Sequence, residues 1–159
     1  MKKIVAVAAL VLTLAGIAPA PAQAGGATSV ALGLASFAVF NQIGGLYWER
    51  GRYGEAAEMY RRAIRAAPDS YWAFSNLGGA ETMRCNYPAA VDAYRKALAL
   101  DPKNADAASN LGMTQLWTGH AAEAVALLER ASTESPASFA IWGNLGDASS
   151  DFEREPCTR

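Results

Sequence analysis

The sequence is poor in the residues that build catalytic and metal centres. Its 159 residues include a single histidine, His120, and two cysteines, whereas a zinc site takes about four nitrogen, sulfur or oxygen ligands. No serine stands with that histidine in a pattern typical of nucleophilic catalysis. The glycine pairs at 25–26 and 44–45 lack the lysine and the spacing of a phosphate-binding loop. We therefore expect no catalytic residues, no metal ion and no other cofactor.

Positive charge is scarce as well. The chain has 14 Lys and Arg against 15 Asp and Glu, a formal charge of −1. This balance argues against a nucleic-acid partner, which usually requires a strong basic excess. Charged residues make up only 18% of the chain and hydrophobic residues 52%, so the chain has enough apolar surface to bury a core. Nothing in the composition indicates a small-molecule substrate.

Residues 1–24 have the pattern of a secretory signal peptide. Two lysines precede an uncharged apolar run from Ile4 to Ala18, and Ala22-Gln23-Ala24 supplies the small residues that a signal peptidase recognises. We predict cleavage before Gly25 and export to a bacterial periplasm, with full secretion as the second choice. The apolar run is shorter than the roughly 20 residues that span a membrane, so we expect no stable membrane anchor after cleavage.

The rest of the chain repeats itself with a period of 34 residues. A shift of 34 aligns four columns: a large apolar residue, a leucine or isoleucine, a glycine and a closing proline. Small residues between them let two helices approach closely, and proline separates one unit from the next. The columns are Phe40, Phe74, Ala108 and Trp142; Ile43, Leu77, Leu111 and Leu145; Gly44, Gly78, Gly112 and Gly146; and Pro68, Pro102 and Pro136.

This spacing resembles the tetratricopeptide repeat, whose pattern is W-x2-L-G-x2-Y, then A-x3-F, then A and P. The resemblance implies an all-α solenoid of helix pairs, wound as a right-handed superhelix. Its repeats would span 37–70, 71–104 and 105–138, with a polar capping helix at 139–152. Residues 25–36 would then lead into the first helix, and 153–159 would form a tail. The sequence departs from the pattern three residues after the glycine, where Tyr47 matches but Glu81, Gln115 and Ser149 do not.

In this family the first helices of the pairs line a concave groove that holds a segment of a partner protein. The resemblance implies that the residue before each Leu-Gly or Ile-Gly pair points into the groove. An amide there can both donate and accept a hydrogen bond with the main chain of a bound segment. Alternatively, the amides hydrogen-bond a neighbouring helix and order the stack. These residues, the amide column, are Gln42, Asn76, Asn110 and Asn144.

Large apolar residues of the first helices are candidates for anchoring a partner in the same groove. We expect Trp72, Met83, Met113 and Trp117 to face it, and Trp48 and Leu116 to pack against neighbouring helices. Some family members grip a terminal carboxylate with lysine and arginine from first helices. Here the comparable positions hold Glu49, Met83 and Trp117, so such a clamp is not expected. Arg61, Arg62 and Arg65 are expected on a solvated face with Glu55 and Glu58.

These features predict a non-catalytic adaptor or scaffold of the bacterial cell envelope, with a protein or peptide partner. The alternative is a periplasmic assembly or secretion factor that holds extended clients. A third hypothesis, a carbohydrate binder or an enzyme, depends on tryptophans in the groove.

The two cysteines are candidates for a disulfide. Cys85 stands where the neighbouring units have a turn glycine, and Cys157 follows the last predicted helix. An exported chain meets oxidising conditions, in which cysteines pair. Packed helices about 10 Å apart put Cys85 about 20 Å from the end of the capping helix, and five extended residues span about 17 Å. We predict an internal Cys85–Cys157 bond, with an intermolecular bond through Cys157 or two free thiols as the alternatives.

Overall fold

A computed structural model describes residues 26–149 and Cys157. The predicted signal peptide, residues 150–152 and the rest of the tail lie outside these residues. The chain forms two compact units, residues 1–32 and 33–159. Of the first unit, residues 26–32 are described, and they are helical. Within the described residues, no helix is both long and apolar enough to cross a membrane.

Seven helices make up the described part of the chain, which contains no strand. We call α1, α3, α5 and α7 the first helices and α2, α4 and α6 the second helices. This architecture is an all-α solenoid of helix pairs and confirms the predicted fold class. The helices are α1 Gly26–Glu49, α2 Tyr53–Ala66, α3 Tyr71–Met83, α4 Tyr87–Leu100, α5 Ala105–Trp117, α6 Ala121–Glu134 and α7 Phe139–Ser149.

The glycine column allows the two helices of each pair to touch. A Cβ atom on Gly78 would lie 2.6 Å from the ring of Tyr94, which is closer than real side chains approach. The same atom on Gly44 would lie 2.6 Å from the ring of Tyr60. In the third pair, Leu128 takes the place of the tyrosine. A Cβ atom on Gly112 would lie 2.9 Å from the Cγ atom of Leu128. A large second-helix side chain therefore fills the space that each glycine leaves open.

Each first helix of a complete pair ends in a left-handed residue. Gly51 has a φ of 69°, Gly119 has a φ of 81°, and Cys85 between them has a φ of 61°. The residue that follows donates its backbone N–H to the carbonyl five positions back, as Asn86 does to Glu81 at 2.9 Å. This hydrogen bond closes the helix end in the usual way. A residue with a side chain is disfavoured at positive φ, so glycine is expected at these positions. Cys85 is the one of the three that is not glycine.

Candidate functional site: a groove along the first helices

A cavity of about 200 Å³ lies where three first helices adjoin. Both polar and aromatic side chains reach it, from four different helices. We call it the first-helix groove. Its lining residues are Trp48 of α1, Tyr60 of α2, Ser75, Asn76 and Gly79 of α3, and Asn110 of α5.

Trp48 is the large aromatic side chain of the groove, and a glycine of the next helix positions it. A Cβ atom on Gly79 would lie 3.3 Å from the six-membered part of the Trp48 ring, so the missing side chain leaves room for that ring. Tyr53 meets the ring edge-on, with centroids 5.2 Å apart. Trp48 remains 38% exposed. It therefore packs against neighbours, as predicted, and also presents an apolar surface in the groove.

Two members of the amide column bond to the preceding first helix. Asn76 donates its Nδ2 hydrogen to Asn41 Oδ1 at 3.1 Å, and Asn144 donates to Ser109 Oγ at 2.9 Å. In both cases the partner lies 35 residues earlier in the sequence. For these two residues the alternative holds, since the amide orders the stack.

The same spacing of 35 residues would pair the Asn110 amide with the Ser75 hydroxyl, but that hydrogen bond is not formed. Among the described residues, neither the Asn110 amide nor the Ser75 hydroxyl has a hydrogen-bond partner, and both line the groove. The series of hydrogen bonds between first helices is therefore interrupted at Asn110, where the cavity lies. Gln42 is exposed on α1 and is not part of the groove lining.

The four predicted apolar anchors do not converge on the groove. Trp72 and Met83 are 56% and 46% exposed, but neither lines the cavity. Met113 is buried, with 8% of its surface exposed. Trp117 packs against Tyr87 of α4, with ring centroids 6.2 Å apart, and its indole nitrogen is buried without a hydrogen-bond partner among the described residues. The sequence analysis did not place Trp48 in the groove; the Gly78-Gly79 doublet could have indicated it, because the second glycine leaves room for the Trp48 ring.

The walls of the groove carry no positive charge. None of the first helices, from α1 to α7, contains a lysine or an arginine. Burial raises the pKa of the Tyr60 hydroxyl, so this residue is a neutral hydrogen-bonding group at physiological pH. The groove therefore offers an indole ring, an amide and hydroxyl groups, which suit an uncharged main-chain segment.

A buried carboxylate lies near the end of α3, and the sequence did not indicate it. Glu81 of α3 has no exposed surface, yet it pairs with Arg61 of α2 and with Arg84, the latter at 2.9 Å. Asn86 donates a third hydrogen bond at 2.9 Å. Arg61 therefore ties two repeats together, which corrects the expectation that it belongs to a solvated face. Arg62 and Arg65 do pair with Glu58 there, at 3.4 and 3.7 Å.

Two larger cavities lie between α4 and α6, with volumes of about 360 and 480 Å³. They share three polar lining residues, and these bond to one another. Gln115 Nε2 donates to Glu123 Oε2 at 2.7 Å, and Arg95 Nη2 lies 3.9 Å from the same oxygen. These three polar groups are therefore paired with one another, whereas Asn110 and Ser75 of the first-helix groove are not.

The structure joins Cys85 and Cys157 in a disulfide, with Cα atoms 6.0 Å apart. The bond spans 72 residues of sequence. It attaches residue 157 to the turn that follows α3, next to the Glu81 network.

Comparison with known proteins gives a consistent family. Two models described as tetratricopeptide repeat match residues 42–105 and 85–145. The first such domain of Spaghetti (RPAP3), solved with the HSP90 peptide SRMEEVD, is 24% identical; the match covers 72% of this chain and 90% of that one, with a TM-score of 0.70.

Other solved structures share the fold. MamA is 26% identical over 70% of this chain and 66% of that one, with a TM-score of 0.67. The corresponding domain of Arabidopsis OM64 is 19% identical over 74% of this chain and 97% of that one, with a TM-score of 0.72. No curated protein matches this chain.

Proposed function

Because this chain belongs to the tetratricopeptide repeat family, we propose that it is a non-catalytic adaptor that binds an extended segment of a partner protein in the first-helix groove. The observation that carries the proposal is that Asn110, in the middle of the amide column, is not hydrogen-bonded to the preceding first helix. Asn110 and Ser75 have no partner among the described residues there, and Trp48 lies beside them. An amide would bond the main chain of the segment, and the indole would cover an apolar side chain.

The chemistry of the walls selects the kind of segment. The RPAP3 domain was solved with a peptide ending in Glu-Glu-Val-Asp, and a strongly acidic end requires cations. The first helices of this chain have none, and Glu49 is exposed at the end of α1. The adaptor is therefore expected to prefer an uncharged internal segment with one large apolar residue.

The place of action follows from the leader-like residues 1–24 and is part of the same proposal. Cleavage after residue 24 would release the adaptor into a bacterial periplasm, where it would serve as a scaffold of the cell envelope. The alternative, a factor that holds many extended clients, uses the same groove with less selectivity.

A library of short random peptides, displayed on phage and selected against the folded chain, tests the groove. We expect enrichment of peptides with one aromatic or aliphatic anchor, and no binding of the acidic peptide SRMEEVD. Trp48→Ala should weaken an enriched peptide about thirtyfold, since one buried anchor contributes roughly 2 kcal/mol. Asn110→Ala should weaken it about fivefold, the loss of one hydrogen bond of about 1 kcal/mol.

Asn144→Ala is the matched control, because it removes the same side chain from the same column outside the groove lining. It should leave peptide affinity at the parent value. Equal affinity in the parent, Trp48→Ala and Asn110→Ala chains, with helicity intact by circular dichroism, would refute the groove as the binding site. Enrichment of unrelated sequences with similar affinity would favour the client-holding alternative.

A further inference from the structure

The last helix, α7, has a face that no other described helix covers. In each complete pair the column glycine lies against a large second-helix side chain. At the same position of α7, a Cβ atom on Gly146 would have no neighbour within 4 Å among the residues that the structure describes. On the same face, Phe139 is 93% exposed and Trp142 is 49% exposed. We call these three residues the α7 outer face; two of them are large aromatic side chains.

The opposite side of α7 is firmly docked. Ile141 is 2% exposed and packs in a cluster with Ala108 of α5 and Ala131 of α6. Asn144 donates a hydrogen bond to Ser109 of α5 at 2.9 Å. The outer face is therefore the bare half of a first helix that already holds its place in the stack.

The three second helices show what covers such a face. Each presents an alanine, then a tyrosine or leucine four residues later, then a cation, then an alanine. In two pairs the cation approaches the aromatic ring that corresponds to Trp142: Arg62 lies 6.0 Å from the centre of Phe40, and Lys96 lies 5.8 Å from that of Phe74. The three sets are Ala56, Tyr60, Arg62 and Ala63; Ala90, Tyr94, Lys96 and Ala97; and Ala124, Leu128, Arg130 and Ala131.

The register of the repeat places the start of a fourth second helix close to Cys157 in the sequence. The second helices begin at residues 53, 87 and 121, so a fourth in the same register would begin 34 residues later, at 155. Cys157 is instead bonded to Cys85, on the turn after α3. A second folded copy of the chain does not supply the covering helix, because the alanine, tyrosine and leucine rows of α2, α4 and α6 are all buried.

We propose that a helix of a partner protein docks on the α7 outer face and completes a fourth helix pair. The interface continues the series that the chain has built three times. The partner helix carries the pattern Ala-x3-Tyr/Leu-x-Lys/Arg-Ala. Its large residue covers Gly146, and its cation lies over the Trp142 ring, where a cation–π contact forms. This site is separate from the first-helix groove.

The probe is a fluorescein-labelled peptide with the sequence of α4, residues 87–100, which carries the full pattern. Fluorescence anisotropy with the full-length chain should show saturable binding. Gly146→Leu should weaken it at least tenfold, because leucine occupies the position that the peptide tyrosine covers. A peptide with Lys96→Glu should bind several-fold more weakly, since a carboxylate faces the Trp142 ring.

Gly45→Leu is the matched control. It is the same substitution at another glycine with no neighbour within 4 Å of a Cβ atom, and it lies on α1. Both variants should retain parent helicity, and Gly45→Leu should bind the α4 peptide as the parent does. Asn110→Ala should also leave this binding unchanged, which separates a failure here from a failure of the groove.

Two results would overturn the proposal. One is peptide binding that is absent from the parent or unchanged in Gly146→Leu. The other is a concentration-dependent dimer in sedimentation velocity that Gly146→Leu abolishes, since a second copy would then occupy the α7 outer face.

Discussion

The turn after α3 and the turns after α1 and α5 share one backbone geometry but differ in the side chains that hold them. Glycine provides the left-handed residue in the outer two turns, and disulfide-bonded Cys85 provides it in the middle turn. The residue four positions earlier also differs. In the first turn the Arg52 guanidinium lies 4.7 Å from the centre of the Tyr47 ring, whereas in the middle turn Glu81 is buried between two arginines.

This difference shows which features of the repeat are required. The hydrogen bond that closes the helix end occurs in all three turns, at 2.8 to 2.9 Å, so the backbone geometry does not depend on one side chain. An aromatic can be replaced by a buried charge only where neighbours satisfy its oxygens. The middle turn meets that condition by recruiting Arg61 from the preceding pair, and thereby ties α2, α3 and residue 157 together.

Gly78→Leu should have the largest effect on the stability of the fold. It tests the contact between α3 and α4, the two helices on either side of the middle turn. The first atom of the new side chain would lie 2.6 Å from the rigid Tyr94 ring, so α3 and α4 would have to separate. We expect the cooperative thermal transition, followed by circular dichroism, to disappear. Gly45→Leu should unfold as the parent does, and a cooperative transition in Gly78→Leu would show that the pair does not depend on this contact.

Removal of both cations from Glu81 should have the next largest effect. In the double variant Arg61→Met, Arg84→Met a fully buried carboxylate keeps only the Asn86 hydrogen bond. Breaking a buried charge pair from one side costs about 3–5 kcal/mol, although the half-exposed arginines lower that figure. Urea denaturation should show the loss. Glu81→Gln, which copies Gln115 of the third turn, should lose clearly less; an equal loss would mean that the charge is irrelevant.

The repeat could be predicted from the sequence because each column has one physical task. Glycine at 78 and alanine at 90 leave the room that close helix packing requires, and the period of 34 repeats that requirement. The groove could be placed on the first helices for the same reason. The hydrogen bonds in the groove could not be predicted. The repeat pattern does not distinguish Asn76, which bonds Asn41, from Asn110, which stays unbonded, because the difference depends on the exact distance between neighbouring helices.

Removal of the Cys85–Cys157 disulfide should have the third largest effect on the free energy of unfolding. Closing a loop of 72 residues removes about 4 kcal/mol of unfolded-chain entropy in the loop model, and native proteins realise about 2–4 kcal/mol. Cys157→Ser should lower the free energy of unfolding by that amount. Parent chain with dithiothreitol should match the variant. If the variant and the oxidised parent unfold at the same urea concentration, the bond does not stabilise the fold.

A second substitution isolates the backbone of the middle turn from its bond. In the Cys157→Ser background, Cys85→Gly makes the middle turn like the outer two. Glycine at a φ of 61° relieves a side chain that costs about 1–2 kcal/mol in this conformation. The double variant should therefore be about 1 kcal/mol more stable than Cys157→Ser alone, and lower stability would show that the cysteine side chain packs favourably without the bond.

The smallest effect is the dependence of stability on alkaline pH that Tyr94 causes. Tyr94 packs against Gly78 in the middle pair, at the position that Leu128 occupies in the third pair. Burial raises the pKa of Tyr94 to about 12 from a usual value of 10. The folded chain therefore keeps this proton where the unfolded chain has lost it, so the contribution is complete below pH 10 and falls as the pH rises toward 12. By proton linkage, stability at pH 11 should be about 1 kcal/mol lower than at pH 9. Urea titrations of the parent and Tyr94→Phe measure this difference, and an equal pH dependence in the two chains would assign the alkaline loss to other groups.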